Sequence, residues 1–140
     1  MNDLLNNINP KRAISPVSVA DTTAQAGQWI DRLGYESLTF VILTGGIADA
    51  DATFAVLVED ADASNQSDAA AVADGFLIGT EALAGFQFDD DNECRKIGYK
   101  GLKRYVRVTI TPVGNASAAL VAAVALLGHP LTGPTANPPN

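Results

Sequence analysis

The sequence predicts an all-β protein, a jelly-roll-like antiparallel β-sandwich, and three features carry that expectation. Apolar residues alternate with polar ones at a period of two in several short runs. Clusters of Gly, Asp and Asn separate those runs roughly every 8–12 residues, and no heptad or internal repeat is visible. The chain has 140 residues, 47% of them hydrophobic. That is one domain's worth, enough to bury roughly 68–70% of the surface its unfolded form exposes.

Residues 1–13 are polar and asparagine-rich, and end in Pro10, Lys11 and Arg12 before Ala13. They are expected as a flexible arm. The β pattern starts at Ile14 and continues through Val17 and Val19, with Pro16 marking an edge or a bulge. Residues 28–33 bring the single tryptophan, Trp29, and stop at Gly34. Residues 37–44 (SLTFVILT) are apolar on both faces in their second half, the pattern of a central strand, and end at Gly45 and Gly46. After an Asp/Ala turn, residues 53–59 form a strand in which Phe54, Val56 and Val58 alternate with Thr53, Ala55 and Leu57. These two strands read as neighbours.

Residues 60–74 hold little to bury, and two readings stay open: a short helix over 68–73 capped by Ser67, or a long loop. A short strand follows at 75–80, then Phe86 and Phe88 lead into the acidic turn 89–93. Residues 94–99 and 103–111 read as two strands. In the second, Val106, Val108 and Ile110 face in, while Tyr105, Arg107, Thr109 and Thr111 face out. Gly114 and Asn115 turn the chain. Residues 118–127 combine helix-favouring alanines with strand-favouring valines, and a buried final strand is preferred because the preceding segments need a partner. The sandwich is thus expected over residues 14–128, and residues 129–140 as a proline-rich tail.

A net charge of −7 and a pI near 4.4 argue against general nucleic-acid binding and against an anionic membrane surface. One cysteine, Cys94, leaves no intrachain disulfide, and with one histidine supplies too few soft ligands for structural zinc. The N-terminus lacks the basic and apolar regions of a signal peptide, and the longest apolar stretch, 116–128, is too short to span a bilayer. The expectation is a soluble protein made in a reducing cytoplasm.

Acidic pairs at Asp49 and Asp51, Asp60 and Asp62, and the run Asp89 to Asp91 have the oxygen ligands calcium takes. None fits the twelve-residue loop: counting from Asp60, Asn65 holds the glycine position and Ala71 that of the closing glutamate. The same carboxylates lack the aromatics that stack a sugar in glycoside hydrolysis, and solvated turns are the better reading. His129 has no matched nucleophile, no Gly-x-Ser-x-Gly elbow occurs, and Gly45 and Gly46 are not followed by the lysine of a phosphate loop. Cys94, between Glu93 and Arg95, reads as a small buried strand residue. No catalytic, cofactor-binding or metal-binding residues are assigned, no small-molecule substrate is implied, and the chain is expected not to be an enzyme.

What remains is residues 96–112 (KIGYKGLKRYVRVTITP), read as a β-ribbon of two paired strands that holds the main concentration of positive charge in an acidic chain. Tyr and Arg are enriched at protein interfaces, so Tyr99, Lys103, Arg104, Tyr105 and Arg107 are the candidate contact patch. The competing reading is a solvated face whose cations guard a sheet edge.

Residues 34–62, 72–81 and 95–115 of this sequence resemble the capsid cement (decoration) proteins of tailed bacteriophages, such as that of a short-tailed Bordetella phage. The likeness spans residues 17–128 and rests on strands and turns rather than on a catalytic motif. It implies a jelly roll, no enzymatic activity, a place on the outer surface of the virion head, and the major capsid protein as partner. It also implies a homodimer near local two-fold axes. The alternatives from other classes are a head–tail joining or tail component and a carbohydrate-binding β-sandwich.

If the acidic segments are turns, adding calcium leaves the melting temperature unchanged and gives no heat in a calorimetric titration. A saturable heat or an upward thermal shift would make them ligands.

Overall fold

Period-two alternation places one row of each strand in the interior and the other outside. The computed structural model describes residues 3–140. Its strands are β1 (Ile8–Val19), β2 (Gln25–Ala26), β3 (Ile30–Asp31), β4 (Tyr35–Ile47), β5 (Thr53–Ala61), β6 (Ala70–Ala71), β7 (Leu77–Ile78), β8 (Phe86–Gln87), β9 (Cys94–Tyr99), β10 (Tyr105–Val113) and β11 (Ala119–Pro130). One turn of helix, α1 (Glu81–Ala84), precedes β8.

Two antiparallel sheets form. One runs β1-β11-β4-β9-β7; the other runs β2-β10-β5-β6, with β3 also on β10 and β8 also on β5. The first and last long strands lie side by side, and β4, β5, β9, β10 and β11 alternate between the layers along the chain. That winding is the jelly-roll connection, so the expected fold class holds.

Two pairings inferred from sequence are corrected. The strands at 37–44 and 53–59 are not neighbours: β4 pairs with β11 and β9, while β5 pairs with β10. Each carries a full buried row, Leu38, Phe40 and Ile42 on one and Phe54, Val56 and Val58 on the other, and these rows meet in a single core. Likewise β9 and β10 belong to different sheets, so residues 96–112 cross between layers and do not form a paired ribbon.

The fifth strand position of the jelly roll is broken. β6 and β8 both pair with β5, at Glu59 and Asp60 and at Thr53 and Phe54 respectively. Between them the chain leaves to add β7 to β9 and to form α1. Thr80 Oγ1 caps α1 by accepting the Leu83 N–H at 3.1 Å, and Glu81 Oε1 accepts the Val58 N–H at 2.8 Å, which satisfies the β5 edge where strand is missing. The helix considered over 68–73 does not form. The Asp68 carboxylate instead accepts the N–H groups of Asp62 and Ala63 at 2.9 and 3.0 Å and closes a loop.

The sheet also begins earlier than residue 14. β1 starts at Ile8 and pairs with β11 from Ile8↔Gly128 onward, with irregular register between Arg12 and Ile14 and between Ile14 and Val17. Pro10 is tolerated because β1 is an edge strand. At the other end β11 reaches Pro130, and the Thr135 hydroxyl donates to the Ile8 carbonyl at 2.7 Å while its N–H meets the Asn6 carbonyl at 2.9 Å. The residues expected as two separate arms therefore pack against each other.

Leu38, Phe40, Ile42, Ile97 and Leu127 from one sheet and Val58, Val106, Val108 and Ile110 from the other are the largest fully buried side chains. Small residues sit beside large ones: Ala125 pairs with Phe40 and Ala123 with Ile42. Phe54 and Phe86 stack with centroids 4.7 Å apart.

Truncating the centre of this core, Phe40→Ala, is expected to cost about 3–5 kcal/mol in urea unfolding. A loss below about 1 kcal/mol would mean that Phe40 is not at the centre of a close-packed core.

Candidate protein interface

The candidate patch divides in the structure. Tyr99 is corrected from contact residue to core residue: it is 3% exposed. It follows Ile97 on the inward row of β9, and its hydroxyl donates to Asp60 Oδ2 at 2.8 Å and accepts the Lys103 N–H at 3.1 Å. A Cβ on Gly101 would lie 2.3 Å from that hydroxyl, so the glycine makes room for the tyrosine. Burial first, and the Asp60 carboxylate second, push the phenol well above its ordinary value.

The cations beside it already have acidic partners. Lys103 Nζ lies 3.2 Å from Asp60 Oδ1. Arg104 grips Asp31 with two bonds of 2.9 and 2.7 Å, and that guanidinium holds the Asp31 carboxyl below its usual range. Arg107 bonds Glu59 at 2.8 Å and lies over the Trp29 ring at 4.6 Å; Arg104 lies over Tyr105 at 5.2 Å. The structure thus gathers Arg104, Tyr105 and Arg107 on the outer side of the β10 sheet, but with the charge of both arginines matched within the chain. Thr109, expected to face out, is buried beside Ala26 of β2.

The acidic segments serve the backbone. Asp49 accepts the N–H groups of Ala116 and Asp51 at 2.8 and 3.1 Å; Asp90 accepts that of Gln87 at 2.8 Å and Asp91 that of Ile47 at 3.1 Å. Among the described residues no group of three or more His, Cys, Asp or Glu side chains is placed to hold a metal. Cys94 is exposed, contrary to expectation, because it stands on the outward row of β9 opposite Leu43. His129 Nδ1 lies 2.9 Å from Ser37 Oγ.

The surface that sequence reasoning missed is the outer face of the other sheet. There the β11 row Leu120, Ala122, Val124, Leu126 lies beside the β4 row Leu43, Val41, Thr39. Leu43, Leu120 and Val124 are 53%, 49% and 40% exposed. Gly45 leaves Leu120 its place, since a Cβ there would come within 2.8 Å of the Leu120 Cβ. Two open grooves lie along this face. One of about 770 Å³ is lined by Leu4, Ile8, Val41 and Leu126 among others, and one of about 360 Å³ by Val17, Leu43 and Leu120. The signal was present: residues 37–44 are apolar on both faces in their second half, and residues 118–127 are alanine, valine and leucine throughout. It was read as two-sided burial, whereas a two-layer sandwich covers one face only.

No protein-family model matches this chain, and comparison with curated proteins finds no match. Solved structures do match. The PBSX exported protein XepA aligns with a TM-score of 0.53 and 16% identity over 85% of this chain and 36% of its own, so this chain spans about a third of XepA. A protein of Bacillus endospore appendages, described as disulfide-linked pili, aligns at a TM-score of 0.41 and 12% identity over 94% and 98% of the two chains. The CBM22-1–GH10 modules of the Clostridium thermocellum xylanase Xyn10B, in complex with xylohexaose, align at 0.45 and 11% over 89% and 26%. Of these, XepA carries the comparison, and at that identity it speaks to the shared β-sandwich alone.

The buried tyrosine sets an alkaline limit. Above about pH 10 an unfolded tyrosine releases its proton, while Tyr99, with its raised value, keeps it. The unfolded state then binds fewer protons, so stability falls as pH rises. Tyr99→Phe is expected to flatten that fall in unfolding measured from neutral to alkaline pH. An unchanged slope would mean that the phenol ionises as freely in the folded protein.

Proposed function

We propose that this chain is a structural virion protein that decorates the outer surface of a tailed-phage head and stabilises contacts between major capsid protein subunits. The observation that carries this reading is the apolar outer face of the β1-β11-β4-β9 sheet. Large exposed apolar surface on a folded domain is disfavoured in water and marks a place where another molecule binds. Asp49, Asp68, Asp90 and Asp91 bond backbone N–H groups of turns and strand ends, and Asp31, Glu59 and Asp60 are in ion pairs.

The resemblance of residues 34–62, 72–81 and 95–115 to phage cement proteins names the assembly. The mechanism is mechanical. A head filled with DNA is under outward pressure, and a jelly roll bridging two subunits adds buried area where they would separate. A standard interface of ~1,200–2,000 Å² suffices for stable binding. A homodimer, as the resemblance implies, engages two subunits at once and gains avidity from the lattice.

Purified protein added to expanded heads that lack it is expected to bind in hundreds of copies and to raise their disruption temperature. Unchanged heat resistance at full occupancy would contradict the stabilising role. Binding confined to one small ring per particle would make it a head–tail or tail component.

A further inference from the structure

The outer face of the β1-β11-β4-β9 sheet has a charge pattern that decides what covers it. Its central row, read across the register, is Arg12, Val124, Val41, Lys96. Apolar residues occupy the middle and a cation stands at each side. The outward positions are Pro10 and Arg12 on β1, Leu120 to Gly128 on β11, Ser37 to Leu43 on β4, and Cys94 and Lys96 on β9, and none of them holds a carboxylate. The one carboxylate lining the large groove is that of Asp3, before β1, which accepts the Asn6 N–H. In a chain of net charge −7 this is a segregated surface.

Like Lys11, Arg32 and Lys100 elsewhere, these two cations are outside every ion pair among the described residues. Lys103, Arg104 and Arg107, on the other side of the molecule, are in ion pairs. Arg12 meets Ser15 Oγ, and neither Arg12 nor Lys96 has an acidic partner among the described residues. An unpaired cation beside an apolar patch favours a carboxylate on whatever docks there.

A second copy of the chain does not supply one. If two copies stack these faces about a two-fold axis running along the strands, Arg12 of each meets Lys96 of the other. If the axis runs across the strands, each cation meets its own counterpart. Like charges in juxtaposition oppose the contact. We infer that this face docks a different protein, whose contact surface is apolar at its centre and carries carboxylates on both flanks. At ordinary strand spacing Arg12 and Lys96 are three strand gaps apart, so those carboxylates stand about 14 Å from each other. Four strands over the outward row from Leu120 to Gly128 cover roughly 20 by 27 Å, about two thirds of the ~800 Å² that each partner gives to a standard interface. The inference rests on the capsid reading for its partner: the capsid surface is what carries the carboxylates, and any dimer of this chain uses another surface.

The test compares wild type, Val124→Asp, the double variant Arg12→Glu with Lys96→Glu, and Tyr105→Ala with Arg107→Ala, each added to expanded heads lacking the protein. Thermal melts confirm folding, and sedimentation of the free proteins gives their oligomeric state. Val124→Asp and the charge-reversed double variant are expected to bind at least about tenfold more weakly, while the Tyr105 and Arg107 variant binds as wild type does. Wild-type binding is also expected to weaken with added salt more steeply than that of the reversed variant. If Val124→Asp is unfolded, the double variant, altered only at outward-facing cations, decides. Wild-type occupancy by the double variant overturns the inference and leaves the capsid reading standing. A wild-type dimer that Val124→Asp converts to monomer overturns the assignment of the face to a different protein. Failure of wild type itself to bind heads overturns the capsid reading.

Discussion

Each sheet of a two-layer sandwich has one face against the core and one that meets water or another molecule. That constraint organises the rest of this structure. The inner rows of β4, β9, β11, β5 and β10 make a single core, while Leu43, Leu120 and Val124 on the outer rows of β4 and β11 stay open to solvent. Apart from Ser37, Thr39 and Gly128 toward one end, those rows are nonetheless valine, leucine and alanine. Hydration of apolar surface is unfavourable in proportion to its area. In the proposed function this face supplies the contact that folding alone does not complete.

The opposite sheet has been treated differently. Its outer side carries arginine, glutamate, tryptophan and threonine beside Ala55, Leu57 and Val113, and its arginines are closed in pairs such as Arg107–Glu59 and Arg104–Asp31. Partly exposed pairs of this kind contribute little to stability, of order 0–1 kcal/mol, but they leave no charge seeking a partner. The two faces of one sandwich thus have different electrostatic standing: one is internally matched, the other apolar with unmatched cations at its sides.

Much of this was legible in the sequence. The alternation of Phe54, Val56 and Val58, and of Val106, Val108 and Ile110, located two strands and their buried rows, because a period of two is a local property. The final strand was recovered against its alanine content. What failed was non-local. Whether residues 53–59 pair beside 37–44 or face them across the core depends on how the chain crosses between layers, and turn composition does not record that. Tyr99 was placed outside because Lys96, Lys100 and Lys103 surround it in sequence; its partner Asp60 is 39 positions away. The first six residues of β1 were missed because Asn9, Pro10, Lys11 and Arg12 read as an arm, although an edge strand accepts them. The apolar face was visible as two-sided hydrophobicity, but two-sided hydrophobicity alone does not say whether protein or partner covers the second side.

The most direct test of the account is a reconstruction of the decorated head at a resolution that orients the sandwich. The account predicts that Leu43, Val124 and Leu126 pack against the capsid surface, with capsid carboxylates beside Arg12 and Lys96, and that Arg107 and Tyr105 face away from that contact. A sandwich docked through Arg104, Tyr105 and Arg107, with Leu43 and Val124 open to solvent, would contradict it.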